Sequence, residues 1–273
     1  MRGFIGMAAL ALASSAAMAA NQVDEQSRAI RPAPSGPAVE FSSGLEYQEG
    51  DYGTGGKIET LSIPSNLRVT TGRFQFSATL PYVRVDAPGN VVGGGGGVLG
   101  LPIIVDPTRP ATRDRRESLG DLKLGASYLM PISVVDLAIT GQVKLPTASK
   151  ARNLGTGEVD YAVGAELSKN LGPITPFVGV SYTIPGDPKG YDLRKSLAAR
   201  GGIATMLAPN IRGYVSYGYA RSVSRLVDNE KQLSTGINAG LSKRLSLGLF
   251  GTAGLSDGSP DVGAGIQLGV RLW

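Results

Sequence analysis

The chain has 273 residues, 27 lysines and arginines against 22 aspartates and glutamates, a formal charge of +5, and neither cysteine nor histidine. Those two absences remove disulfides, an acylated cysteine, thiolate and imidazole metal shells, and Ser-His or Cys-His nucleophiles, so the chain reads as a non-enzyme without cofactors. The cations are interleaved with acids rather than gathered in a stripe, which argues against nucleic acid as a partner, and 39 glycines with 17 prolines suit a loop-rich all-β protein.

Residues 1–19 open with Arg2, an apolar run and the small-residue triplet Ala17, Met18, Ala19, which reads as a cleaved secretory signal too short to anchor in a bilayer. Residues 20–37, polar and broken by proline, are expected to form a flexible periplasmic tail. From Ala38 to the end, about twelve strands are predicted: 38–48, 57–70, 73–86, 118–130, 134–146, 158–168, 174–185, 194–207, 211–223, 231–242, 245–256 and 261–273. No long window carries the 3.6-residue apolar period of a helix.

The last stretch makes the pattern plain. Val262, Ala264, Ile266, Leu268, Val270 and Leu272 share one face, while Asp261, Gly263, Gly265, Gln267, Gly269 and Arg271 share the other. Trp273 falls in phase with Arg271, so either a bulge restores the phase or Leu272 is the terminal membrane-facing residue.

The connections alternate too. Those after even-numbered strands are tight, while those after odd-numbered strands (49–56, 87–117, 147–157, 186–193, 224–230 and 257–260) are long and rich in Gly, Asp and Pro. Recurring ten-residue alternation with loops sorted by length predicts a single antiparallel transmembrane β-barrel over 38–273, with short periplasmic turns and longer extracellular loops.

Alternation also assigns faces. Val135, Leu137, Ile139, Val143 and Leu145, then Val159, Tyr161, Val163 and Leu167, are expected against lipid. Glu40, Glu46, Arg68, Arg73, Lys123, Asp136, Gln142, Lys144, Asp160, Glu166, Arg200 and Arg212 are the candidate pore-lining residues, nearly balanced in sign. A carboxylate pair such as Asp160 and Glu166 is better read as hydrating a pore or pairing across strands than as acid–base machinery. Lumen glycines, among them Gly179, Gly202, Gly236 and Gly265, either keep side-chain volume down or permit strand coiling.

The loop 87–117 holds five consecutive glycines, Gly93 to Gly97, then an apolar run from Val98 to Val105, then Arg109, Arg113, Arg115 and Arg116. It is a candidate constriction loop: either it folds into the barrel mouth, with the glycines as hinge and the arginines near the entrance, or it packs on itself at the surface.

Two segments carry a family resemblance. Lys144, Leu145, Pro146, Thr147, followed by Leu154 to Tyr161 (LGTGEVDY), and Gly254 to Gly265 before the last strand resemble outer-membrane proteins regarded as transporters of the phenol meta-pathway degradation type. The resemblance covers the second half of the chain well and the first half in pattern only. It implies a barrel in the outer membrane of a Gram-negative bacterium, in contact with outer-membrane lipid. The function expected is a channel or facilitator for passive uptake of small solutes, in which aromatic or hydrocarbon-derived compounds would fit; the alternative is a non-conducting structural or interaction barrel. Neither the solute nor the oligomeric state is legible, and a monomer would suffice.

Overall fold

The computed structural model describes residues 37–92, 103–106, 108 and 110–272. The signal and nearly all of the tail, the glycines Gly93 to Gly97, Arg109 and Trp273 lie outside them. The strands are β1 Ala38–Gly50, β2 Ile58–Thr71, β3 Phe74–Pro88, β4 Val91–Val92, β5 Ile104–Val105, β6 Arg113–Leu119, β7 Leu122–Ile132, β8 Val135–Leu145, β9 Asp160–Ser168, β10 Ile174–Ile184, β11 Ser196–Ala208, β12 Ile211–Ala220, β13 Glu230–Gly240, β14 Leu245–Gly254 and β15 Val262–Arg271.

Both β6 and β7 pair with β3, β6 along Tyr82–Pro88 and β7 along Phe74–Thr79, so they form one strand broken at Gly120 and Asp121. The register slips by one residue across that break, as at a β-bulge. Counted so, and leaving aside the small β4–β5 hairpin, twelve strands of the described residues form the wall. Each pairs antiparallel with its neighbour, and β1 closes on β15 from Glu40 opposite Arg271 to Glu49 opposite Val262. Closure leaves no free edge, which is the condition for a sheet to stand in hydrocarbon.

Alternation places the two faces as lipid demands. Ile139, Tyr161, Val163 and Leu167 are exposed on the outside, as are Leu45, Leu233, Ile237, Leu249, Ile266 and Leu268. So much exposed apolar surface would drive a water-soluble monomer to associate, whereas in lipid it is at rest. Aromatics gather toward the rims, with Phe74 4.8 Å from Tyr128 between ring centroids at the short-turn end, and exposed Tyr47, Tyr161 and Tyr182 toward the long-loop end.

The tight turns use positive φ where they must. Gly72 (φ 55°) turns β2 into β3 and Asn210 (φ 65°) turns β11 into β12, the residue types that tolerate the left-handed region.

Two expectations are corrected at this level. Arg73 was placed among the lumen residues, but it belongs to the turn after Thr71 and is exposed; once the chain leaves the pleat, alternation no longer governs where a side chain points. The loop 87–117 is shorter than predicted, because β3 runs to Pro88 and β6 begins at Arg113. In these extensions the alternation is turned over, with Val83, Val85 and Ala87 buried inward and charged residues on the outer face. On that face they are held by charge across the ladder: Arg84 faces Glu117 with an ion pair of 2.7 Å, and Asp86 faces Arg115 with one of 3.1 Å.

Above the wall, the long loops converge on a small apolar core. Tyr52 and Ile58 pack with Val83, Val85, Ile103, Leu154 and Val227, joining chain from both sides of the mouth.

Candidate functional site at the barrel mouth

The inward face is charged because that is where the strand period turns every residue the lipid rejects. Of the sequence-predicted lumen residues, Glu46, Arg68, Lys123, Lys144, Glu166, Arg200 and Arg212 occupy inward positions and are buried, while Glu40, Asp136, Gln142 and Asp160 share that face half-buried. Register decides which of them meet. Glu166 on β9 and Arg200 on β11 both sit opposite Gly179 of the intervening β10. With no side chain between them, the carboxylate and guanidinium join in a buried ion pair. Arg200 also lies over the Phe177 ring, 5.5 Å from its centroid. At the short-turn end, Glu40 faces Arg271 and accepts its Nη2 at 3.0 Å.

Sequence reasoning missed the aromatics of this face. Phe177 sits opposite Gly202, Tyr214 opposite Gly236, and Phe250 opposite both Gly236 and Gly265. A Cβ on Gly202, Gly236 or Gly265 would meet those rings. These three lumen glycines are therefore slots filled by rings rather than empty volume. Tyr214 and Phe250 pack together with Ala204 in the interior. The signal was the glycines themselves, but only the pairing register says which ring each one faces.

The stretch of family-like sequence forms a clasp. Lys144 Nζ bridges Asp160 at 2.7 Å and Asp121 at 3.1 Å. Thr147 Oγ1 donates to the Gly120 carbonyl at 2.9 Å and accepts from the Leu122 N–H at 2.8 Å. The Ala148 N–H donates to Asp121 Oδ1 and the Gly186 N–H to Asp160 Oδ1, each at 2.9 Å. Gly155 packs so close to Ala148 and Asp121 that a Cβ there would collide. Together these contacts staple the β8–β9 loop to the break between β6 and β7, where the ladder is weakest. Lys144→Gln is expected to leave the barrel assembled and to open this loop, seen as faster trypsin cleavage at Lys150 or Arg152; protection equal to the parent would show that the clasp is idle.

The candidate constriction loop divides. Arg113 pairs with Glu59 (2.8 Å) and Asp86 (2.6 Å), and Arg115 with Asp86, on the outer side of the β3–β6 extension. Neither stands free at an entrance, because acids already present on β2 and β3 claim them. Arg116 turns inward, is buried, and donates to the Val91 carbonyl at 2.8 Å. The described part of the apolar run leaves the surface: Ile104 and Val92 pack on Val223 with Tyr191 and Leu193, and the Tyr191 hydroxyl donates to Asp106 at 3.2 Å. The β4–β5 hairpin thus reaches across to loops of the far wall.

Beneath these loops lies a cavity of about 110 Å³ that opens to solvent. Ile103, Val223, Val227, Ala198, Ala220 and Pro185 supply apolar wall, and Lys123, Gln142, Lys144, Asp160, Glu230 and Tyr52 supply polar groups. Burial holds the Tyr52 hydroxyl well above its ordinary pKa, and the charges of Glu230 and Asp261 add to the effect. It is a donor at any physiological pH.

The sequence profile of the family described as "Putative MetA-pathway of phenol degradation" matches residues 54–272. The chain belongs to that family. No curated protein matches it. Among solved structures, it resembles an outer membrane channel from Pseudomonas putida F1 at 16% identity and TM-score 0.66, covering 88% of this chain and 97% of that one. It resembles the KdgM porin at 9% identity and TM-score 0.51, covering 85% and 98%. The translocator domain of autotransporter NalP from Neisseria meningitidis is similar at 12% identity and TM-score 0.52, covering 94% and 96%. At these identities the likeness is one of fold. The family member is a closed antiparallel barrel of twelve strands among the described residues.

Proposed function

We propose that this barrel is a channel or facilitator for passive uptake of small solutes, with compounds that carry an apolar, aromatic-sized body as the class it suits. The observation that carries the reading is the mouth cavity, which combines apolar walls with a few polar groups and stands over an interior lined by charged side chains. A twelve-stranded barrel lies between those filled by side chains and those that leave a wide aqueous channel. Phe177, Tyr214 and Phe250 narrow it further, so passage is restricted to small molecules.

The interior charges favour weak ion selectivity. Glu166 is matched by Arg200, Glu40 by Arg271, and Asp160 by Lys144, so neither sign dominates the field along the path. Reversal potentials of the refolded protein in a salt gradient are expected near zero; a strongly cation- or anion-selective pore would mean that one local ring outweighs these pairs.

A second reading has one observation behind it. Arg200, Glu166, Tyr214, Phe250 and Glu46 are all buried at inward positions, as in a barrel that conducts nothing and acts through its loops. Liposome swelling separates the two. Proteoliposomes should swell in small sugars and small organic acids at rates that fall steeply with solute size, and no swelling above protein-free vesicles would leave the non-conducting reading.

A further inference from the structure

Two groups around the mouth cavity are poorly explained by the fold alone. Tyr52 is 2% exposed, yet its hydroxyl has no hydrogen-bond partner. It is also held at φ 53°, a left-handed backbone that costs a non-glycine residue energy. Burying a hydroxyl without a partner is unfavourable, and phenylalanine would fill the same space without that cost.

The second group is Lys123, 8% exposed on the cavity wall. It sits directly opposite Lys144 on the neighbouring strand, a like-charge pair that a purely structural design would avoid. Lys144 takes up Asp121 and Asp160. Lys123 feels the charges of those acids and of Glu46, but forms no ion pair with them. It is the cation of that wall left without a bonded counter-ion among the described residues.

The opposite wall carries two acids, with Arg221 at the start of the same loop. Glu230 begins β13, six strands around the barrel from β7 in either direction, and Asp228 precedes it in the loop; both line the cavity. The Tyr52 hydroxyl lies within electrostatic reach of Glu230. Lys123 on one side, Asp228 and Glu230 on the other, and apolar surface between them give the pocket groups of both signs at its two ends.

We propose that this cavity is a binding site for small organic acids with an apolar ring-sized body and a hydroxyl at the far end. The carboxylate takes Lys123 as its counter-ion, the body lies among Ile103, Val223, Val227 and Pro185, and the far hydroxyl accepts from Tyr52 while donating to the acidic wall. The assignment deepens the uptake reading by naming its solute class, and it makes Lys123 and Tyr52 the residues that set specificity.

The test needs no flux. Isothermal titration of the refolded protein in detergent micelles with 4-hydroxybenzoate, benzoate and phenol should give affinities that fall in that order. Lys123→Gln should lose about tenfold or more for both acids and leave phenol unchanged, as expected for loss of a charge-assisted hydrogen bond. Lys123→Arg should retain most of the acid affinity. Tyr52→Phe should lose several-fold for 4-hydroxybenzoate and little for benzoate. Lys169→Gln, in an exposed turn at the other end, should change nothing. Equal affinities for acid and phenol in the parent protein, no heat with any of the three, or full acid binding in Lys123→Gln would each overturn the proposal. Binding without swelling would keep the site and refute the channel, and swelling without binding would do the reverse.

Discussion

Replacing Arg200 by methionine is expected to destabilise the barrel by about 3–5 kcal/mol, more than any single substitution on its surface loops. The pair it breaks is almost wholly hidden, with side-chain exposures of 2% for Arg200 and 1% for Glu166. Removing the guanidinium leaves the Glu166 carboxylate buried over Gly179 without its counter-ion. The double variant Arg200→Met with Glu166→Gln should recover most of the loss, since an amide among apolar and polar neighbours costs far less than an unpaired charge. Urea titrations followed by the shift between folded and unfolded gel mobility would measure both. Equal stability of the parent and Arg200→Met would mean that the pair contributes nothing and that Glu166 is hydrated without it.

On the outside the same charge is costly for a different reason. Ile139→Arg should cost about 2–4 kcal/mol or block assembly, because it places a guanidinium in hydrocarbon near the middle of β8. Gln142→Arg, three residues on, points to the mouth cavity and should fold. The two substitutions are chemically alike and differ only in face. Refolding yields into lipid, read by heat-modifiable mobility, should separate them clearly, and equal yields would place the strand in the wrong register.

What could be read in advance follows from which environment constrains the residue. Lipid accepts only apolar side chains, so the outer face wrote its two-residue period into nearly every strand. Ile139, Val163, Leu167, Ile266 and Leu268 could be assigned from spacing alone. The upper ends of β3 and β6 lie in a region where alternation carries no such demand. Their pairing rests on Arg84 with Glu117 and Asp86 with Arg115, and two charged runs some thirty residues apart look like loop until they are paired. Arg113 and Arg115 look like candidate entrance charges in the sequence for the same reason: their acids come from β2 and β3, and nothing local announces them.

The interior was legible in composition but not in arrangement. That Glu166, Arg200, Lys144 and Asp160 face inward follows from the period of each strand. That Glu166 reaches Arg200 across Gly179, while Lys123 is left beside Lys144, depends on the registers of four separate strand pairs. The aromatic slots were hidden in the same way. Phe177 and Gly202 look unrelated in sequence and stand opposite each other only once β10 and β11 are aligned. Tyr52 gave no signal at all, since its burial depends on four loops meeting above the wall.

Single-channel recording in planar bilayers of the full mature protein, refolded and purified as a barrel, tests the central claim most directly. The account predicts discrete, small conductance steps with little selectivity between cations and anions, reduced when 4-hydroxybenzoate is added on the side of the long loops. A folded, membrane-inserted barrel that gives no steps across the accessible voltage range would contradict it.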